Sequence, residues 1–214
     1  MFSHAILLAE TDHHTLDILP GILAAHIPHM AIDICTSPDE LVQKLEAGSY
    51  DTIALSPLLI RSYRFFTTKR TPQLRPSLIV TVSREDQILP YEAVEGDAFD
   101  VIIKPINPDQ AAQTVKLALA HTTLRRVRAS RDQVVARVQE HMAACPQDLK
   151  GEEHFLTKLA IFDRTLQALN VSIKLVLNID EESYVSDMAE RVEGLTRQRA
   201  FDRLLNLYTD GPTQ

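Results

Sequence analysis

Short apolar runs alternate with amphipathic segments through the first 108 of the 214 residues. Five runs predict buried strands, at residues 5–9, 30–35, 52–55, 78–82 and 101–103. Leucine and isoleucine at three-to-four spacing predict a helix over 15–27, and Ser37-Pro38 followed by two acids predicts the start of another. Strands separated by helices favour an α/β fold, a five-stranded parallel sheet in the flavodoxin-like doubly wound order.

Beyond Pro108 the pattern changes to that of a long helix. Residues 109–144 contain neither proline nor glycine, and a heptad-like stripe runs through Leu117, Leu124, Val127, Val134 and Val138. This pattern predicts a helix of about 35 residues, roughly 50 Å long. Two further helices are predicted over about 152–177 and 181–208. We therefore expect a first domain over 1–120, followed over 121–214 by an all-α helical hairpin or bundle with a long coiled-coil-like helix, which would serve as a dimerisation or output region.

Composition and charge limit the classes of partner and the cellular compartment that we expect for this chain. The formal charge of −7 disfavours DNA, because non-specific nucleic-acid binding needs basic surface. No apolar stretch reaches the roughly 18 residues of a membrane span, and the first residues do not resemble a signal peptide. Cys35 and Cys145 are far apart, as reduced thiols would be. We expect a cytoplasmic protein without a membrane segment.

Candidate site residues follow from the predicted sheet. In doubly wound folds, ligands bind beyond the carboxyl ends of the strands. The polar and charged residues predicted there, with one valine, are Glu10, Thr11, Asp12, Ser56, Val82, Ser83 and Lys104.

The order and spacing of five places resemble the receiver domain of two-component response regulators. These places are residues 6–12, residues 37–51, Ser56, residues 78–84, and residues 99–105 with their Lys104-Pro105 pair. The resemblance implies that Ser56 stands where the family has its phosphate-accepting aspartate. It aligns the family's Mg²⁺-binding acid pair with Glu10 and Thr11, followed by Asp12.

The resemblance also assigns roles on the last two strands. It places Val82 where a serine or threonine usually contacts the phosphoryl group, with Ser83 one residue away. It implies that Lys104 occupies the place of the phosphate-contacting lysine, before a proline, Pro105, whose preceding peptide is often cis. Val101 takes the place of an aromatic switch residue.

The serine at position 56 removes the usual chemistry. A hydroxyl forms no acyl phosphate and does not hold Mg²⁺ as a carboxylate does. We therefore expect a degenerate pseudo-receiver without metal, cofactor or enzymatic activity. Lys104 would then pair with Glu10 or Asp12, and the alternative is that this place binds an anion or a residual metal. Ser56 is expected to be a buried residue at the strand end, with phosphorylation by a serine kinase as the alternative.

Two functions remain for the whole chain. The first is a two-component-type signalling protein, an atypical response regulator whose helical region mediates homodimerisation or binds a protein partner. The alternative is an RNA-binding or transcription (antitermination) regulator with a pseudo-receiver input domain. The basic stretch from Arg125 to Arg131 could contact nucleic acid in that case, although a solvated, salt-bridged helix face is favoured. His121, on the long helix, is expected to be a solvated histidine.

Overall fold

The computed structural model of the chain describes residues 4–67, 75–86 and 98–144, and the single positions 160, 164 and 203. Five strands and four helices of more than three residues lie in this part of the chain. The strands are β1 (His4–Ala9), β2 (Met30–Cys35), β3 (Thr52–Leu55), β4 (Ser77–Val82) and β5 (Ala98–Ile103). The helices are α1 (His13–His26), α2 (Pro38–Ala47), α3 (Ile60–Thr67) and α4 (Pro108–Ala144). The helices predicted over about 152–177 and 181–208 lie outside the described residues.

The five strands form one parallel sheet in the order β2-β1-β3-β4-β5. α1, α2 and α3 each connect one strand of the sheet to the next strand along the chain. Helical connections of this kind join parallel strands, as the sequence predicts. The α/β fold with a flavodoxin-like doubly wound sheet is therefore confirmed. The carboxyl ends of β1, β3, β4 and β5 lie along one rim of this sheet.

The sheet is covered on both faces. Neighbouring residues of a strand point to opposite faces, yet Ile6, Leu7 and Leu8 of β1 are each at most 1% exposed. Leu7 belongs to a core cluster that also contains apolar residues of α2 and α3. Burial on both faces explains why β1, β3 and β4 are nearly continuous apolar runs, whereas the outer strand β2 keeps exposed positions.

Local sequence signals set the helix starts. Asp12 caps α1 by accepting a hydrogen bond from the His14 amide. Ser37 caps α2, its hydroxyl accepts from the Glu40 amide at 3.3 Å, and Pro38 occupies the first turn. The Glu40 carboxylate in turn accepts from the Thr36 amide at 2.8 Å. These contacts satisfy backbone groups that have no partner within the helix.

Close contacts divide the chain into two compact units. The first contains residues 1–122 together with 190–214, and the second contains 123–189. The C-terminal residues thus group with the sheet, and the division into 1–120 and 121–214 stays a prediction. The role of 121–214 as a dimerisation or output region stays a prediction. Among the described helices, none combines the length and apolar character needed to cross a membrane.

Candidate functional site

Glu10 lies at the centre of a polar cluster at the carboxyl rim of the sheet. It directly follows β1, is 2% exposed, and its amide donates to the Cys35 carbonyl. Its Oε1 accepts from the amides of Thr11 and Asp12 at 2.9 and 3.1 Å. Its Oε2 accepts from the Thr81 hydroxyl at 2.5 Å. Both carboxylate oxygens are therefore engaged, as a buried carboxylate requires.

Lys104 completes this cluster from the end of β5. Its Nζ lies 3.1 Å from Glu10 Oε2 and 3.4 Å from Asp12 Oδ2. The Lys104 amide donates to the Val82 carbonyl at 2.7 Å, which continues the β4–β5 pairing one residue past the strand and fixes where the side chain starts. The lysine side chain is 18% exposed. The expected pairing of Lys104 with the neighbouring acids is confirmed, and it involves both of them.

Asp12 links this cluster to α1. One carboxylate oxygen accepts from the His14 amide, and the other accepts from the Thr15 hydroxyl at 2.6 Å and faces Lys104. The Thr15 hydrogen bond, assisted by the charge of Lys104, lowers the pKa of Asp12 below its usual value, although partial burial opposes this. Asp12 is therefore both a helix cap and an anionic neighbour of Lys104.

Ser56 lies at the same rim, directly after β3. It is 3% exposed, and its amide donates to the Ala9 carbonyl at 2.8 Å, which places it beside the residue that precedes Glu10. Its own carbonyl accepts from Leu59 and so begins the 3-10 turn Pro57–Leu59. The prediction of a buried serine at a strand end is confirmed. The expected convergence of the ends of β1, β3 and β5 is also present.

The hydroxyl that β4 contributes to the cluster is that of Thr81. Thr81 is 1% exposed and bonds Glu10, with a longer contact of 3.4 Å to the Leu55 carbonyl at the end of β3. Val82, which the sequence register places here, instead belongs to the apolar core cluster. The Ser83 hydroxyl accepts from the Glu85 amide and donates to Asp86, within the turn that follows β4. The residue of β4 whose side chain reaches Glu10 is therefore Thr81, one residue before the position Val82 that the sequence predicts.

The remaining predicted positions flank the cluster. Thr11 is exposed and contributes its amide to Glu10. Val101 is fully buried in the core, at the position three residues before Lys104. The peptide bond between Lys104 and Pro105 is cis, as the resemblance implies.

The donor set at this rim does not fit a divalent cation. Mg²⁺ takes oxygen ligands, with carboxylates prominent among them. Here the Glu10 oxygens are occupied by two amides, a hydroxyl and an ammonium group, and Asp12 is held by Thr15 and Lys104. Thr11 and Ser56 offer hydroxyls where carboxylates would be needed. Within the described ranges, no group of three acidic, histidine or cysteine side chains is arranged as a metal site.

His121 is buried rather than solvated, so that prediction is wrong. It is 3% exposed, its ring stacks on Phe99 with centroids 4.4 Å apart, and its Nδ1 lies 3.0 Å from the Ser77 hydroxyl. The helical spacing could have predicted this burial, because His121 lies between Leu117 and Leu124 on the apolar stripe of α4. The contact joins α4 to the beginning of β4, at the rim opposite to Glu10.

Comparison with known proteins gives matches among solved structures only. No protein-family model matches the chain, and no curated protein matches its sequence. NtrX from Brucella abortus, solved in complex with ADP, superposes with a TM-score of 0.53 at 16% identity. That match covers 60% of this chain and 29% of the NtrX chain, so the chain spans less than a third of that protein's length.

A second structure matches over nearly its whole length. The signal receiver domain of an HD domain-containing protein from Pseudomonas fluorescens Pf-5 superposes with a TM-score of 0.50 at 17% identity. It covers 59% of this chain and 93% of its own chain. Identities this low carry information about fold alone. The two superpositions, the sheet order and the position of the Lys104-Pro105 pair together show the fold. The sheet-containing part of the chain has the receiver fold of response regulators.

Proposed function

We propose that the chain is an atypical response regulator whose receiver-fold domain works without aspartyl phosphorylation. The helical region then mediates homodimerisation, which presents the domain to a protein partner. The observation that carries the proposal is the position of Lys104, whose Nζ lies 3.1 Å from Glu10 and 3.4 Å from Asp12 at the rim where Ser56 follows β3.

The contacts at the rim support a site that has lost phosphoryl chemistry. Formation of an acyl phosphate needs a carboxylate nucleophile and a cation that screens the incoming charge. Ser56 supplies a hydroxyl instead of a carboxylate. Lys104 is already neutralised by two carboxylates, and Glu10 is held by Thr81 and two amides. An incoming phosphoryl group would have to displace Glu10 or Asp12 from Lys104 before it could contact the ammonium group.

The long helix supports dimerisation. α4 has 37 residues, which corresponds to about 55 Å, and is longer than a small domain can cover. Val127 and Val134 are one heptad apart on the same side of the helix. Apolar stripes at this spacing are the contact surfaces of coiled coils. A symmetric pair of helices is the commonest way to bury such a stripe in a homo-oligomer.

The test is the mass of the full chain in solution, measured by size-exclusion chromatography with light scattering. We expect a dimer whose mass does not change on addition of acetyl phosphate and Mg²⁺. Val134→Glu places a charge on the stripe and should give a monomer, whereas Gln133→Glu, at an exposed neighbouring position, should leave the dimer intact.

Two results would contradict the proposal. A monomeric wild-type chain would remove the dimerisation role of the helical region. A change in assembly caused by the phosphodonor, and absent with Mg²⁺ alone, would show that the domain still responds to phosphorylation.

A further inference from the structure

The 3-10 turn after Ser56 and the helix α3 that follows it have one buried face and one exposed face. On the buried face, Leu59, Ile60 and Tyr63 are at most 6% exposed and belong to the apolar core cluster. Ile60 has helical backbone angles (φ −58°, ψ −41°), so the turn runs directly into α3. These buried contacts fix the rotation of the helix and thereby determine which side chains point to solvent.

The outer face of α3, as we name it here, is formed by Leu58, Arg61 and Phe65. Helical positions three and four residues apart lie on one side, so these side chains follow one another along the helix. Leu58 is 68% exposed, Phe65 is 73% exposed, and Arg61 is exposed as well. Among the described residues, three large apolar side chains are exposed, and two of them lie on this face. Single exposed apolar residues are ordinary, whereas apolar residues grouped on one face indicate a contact surface.

The outer face of α3 is also positively charged, although the chain as a whole is acidic. The protein has 29 acidic and 22 basic residues, yet no aspartate or glutamate occurs between Asp51 and Glu85. The basic residues of that span are Arg61, Arg64, Lys69, Arg70, Arg75 and Arg84. No acidic residue lies three or four positions from Arg61, so no ion pair along the helix neutralises its charge.

An acidic protein segment fits this face better than a nucleic acid does. Aromatic and arginine side chains are the usual anchors of protein interfaces. Leu58 has no ring on which a base could stack, and the chain's formal charge of −7 opposes the many phosphate contacts on which nucleic-acid affinity depends. A helix with apolar residues on one side and carboxylates beside them would cover Leu58 and Phe65 and pair with Arg61.

We propose that the outer face of α3 binds an amphipathic, acidic segment of a partner protein. This contact deepens the proposed function and rests on it, because it names the surface and the chemistry of the protein partner. Leu58 is two residues after Ser56, so the bound segment would lie beside the carboxyl rim of the sheet.

The test is the fluorescence anisotropy of a labelled peptide titrated with the full chain. The probe is an amphipathic helix of about 20 residues, with leucines on one face and glutamates on the other. Arg61→Glu and Phe65→Ala should each weaken its binding about tenfold or more. The matched controls are Lys116→Glu, at an exposed lysine of α4, and Ile34→Ala, at a β2 side chain that is 42% exposed. Both controls should bind the peptide as the wild type does.

Failure of the wild-type chain to bind this peptide would overturn the contact. Equal binding of a peptide with lysine in place of every glutamate would also overturn it, because the charge of Arg61 would then play no part. Tighter binding of a single-stranded RNA, lost in Arg61→Glu, would overturn it in favour of a nucleic-acid partner. Leu58→Ala serves if Phe65→Ala does not fold, and should cause a similar loss.

Light scattering on the same samples separates this contact from the proposed function. A monomeric chain that binds the acidic peptide through Arg61 and Phe65 would support the contact and contradict dimerisation. A dimeric chain that does not bind the peptide would overturn the contact alone.

Discussion

At the scale of single residues, one hydroxyl changes the role of its neighbours. Ser56 carries no charge, and among the described residues the anionic partners of Lys104 at this rim are Glu10 and Asp12. The lysine neutralises the buried glutamate and links the end of β5 to the end of β1.

The first prediction concerns the worth of this ion pair. Lys104→Met should lower the free energy of unfolding by about 3 kcal/mol, because it leaves the Glu10 carboxylate buried without its cation. Lys44→Met is the control, since Lys44 and Asp33 form a pair whose side chains are 32% and 53% exposed. Its loss should be under about 1 kcal/mol. Urea unfolding of both variants measures the difference, and equal losses would contradict a structural role for Lys104.

At the scale of elements, the first turns of α4 are anchored by hydroxyl groups rather than by apolar packing alone. Thr114 bonds Asp100 of β5. Thr122 donates to the Asp51 carbonyl at 2.7 Å, and its oxygen lies 2.7 Å from the Ser77 hydroxyl and accepts from the Ser77 amide. These contacts hold α4 to the middle of β5 and to the rim where β3 and β4 begin, and Thr122 is the last residue of the first unit before α4 continues.

The second prediction tests this anchor. Thr122→Val keeps the shape of the side chain and removes the hydroxyl, so buried groups of Ser77 and Asp51 lose a partner. The free energy of unfolding should fall by about 1–3 kcal/mol. Ser130→Ala, at an exposed position of α4, should change it by less than about 0.5 kcal/mol. A Thr122→Val variant as stable as the wild type would show that apolar packing alone holds this part of the helix.

At the scale of the whole molecule, local patterns predict the sheet well because parallel strands buried on both faces are short apolar runs. The span 52–55 is the same in prediction and structure, and 30–35 is as well. The rim is also predictable, since strand ends in this topology must meet. Lys104 and Glu10 therefore come together as expected although they are 94 positions apart.

Other features depend on contacts that no local pattern contains. Thr81 in β4 and Ser83 just after it alternate with valines, so the sequence does not show which hydroxyl reaches the rim. The pairing of β4 with β5 runs to Val82, and its register shifts between Leu78 and Ile79. The sequence also does not predict which residue pairs with the buried Asp100, because its partner Arg203 is 103 positions away.

We propose that the receiver-fold domain of this chain does not accept a phosphoryl group on an aspartate. The most direct test of this proposal is the intact mass of the full chain after incubation with acetyl phosphate and Mg²⁺, followed by peptide mapping. We expect the mass of the unmodified chain, because Ser56 replaces the nucleophile and Lys104 is held by Glu10 and Asp12. An acid-stable, base-labile phosphoryl adduct on Asp12 or Asp51 would contradict the account.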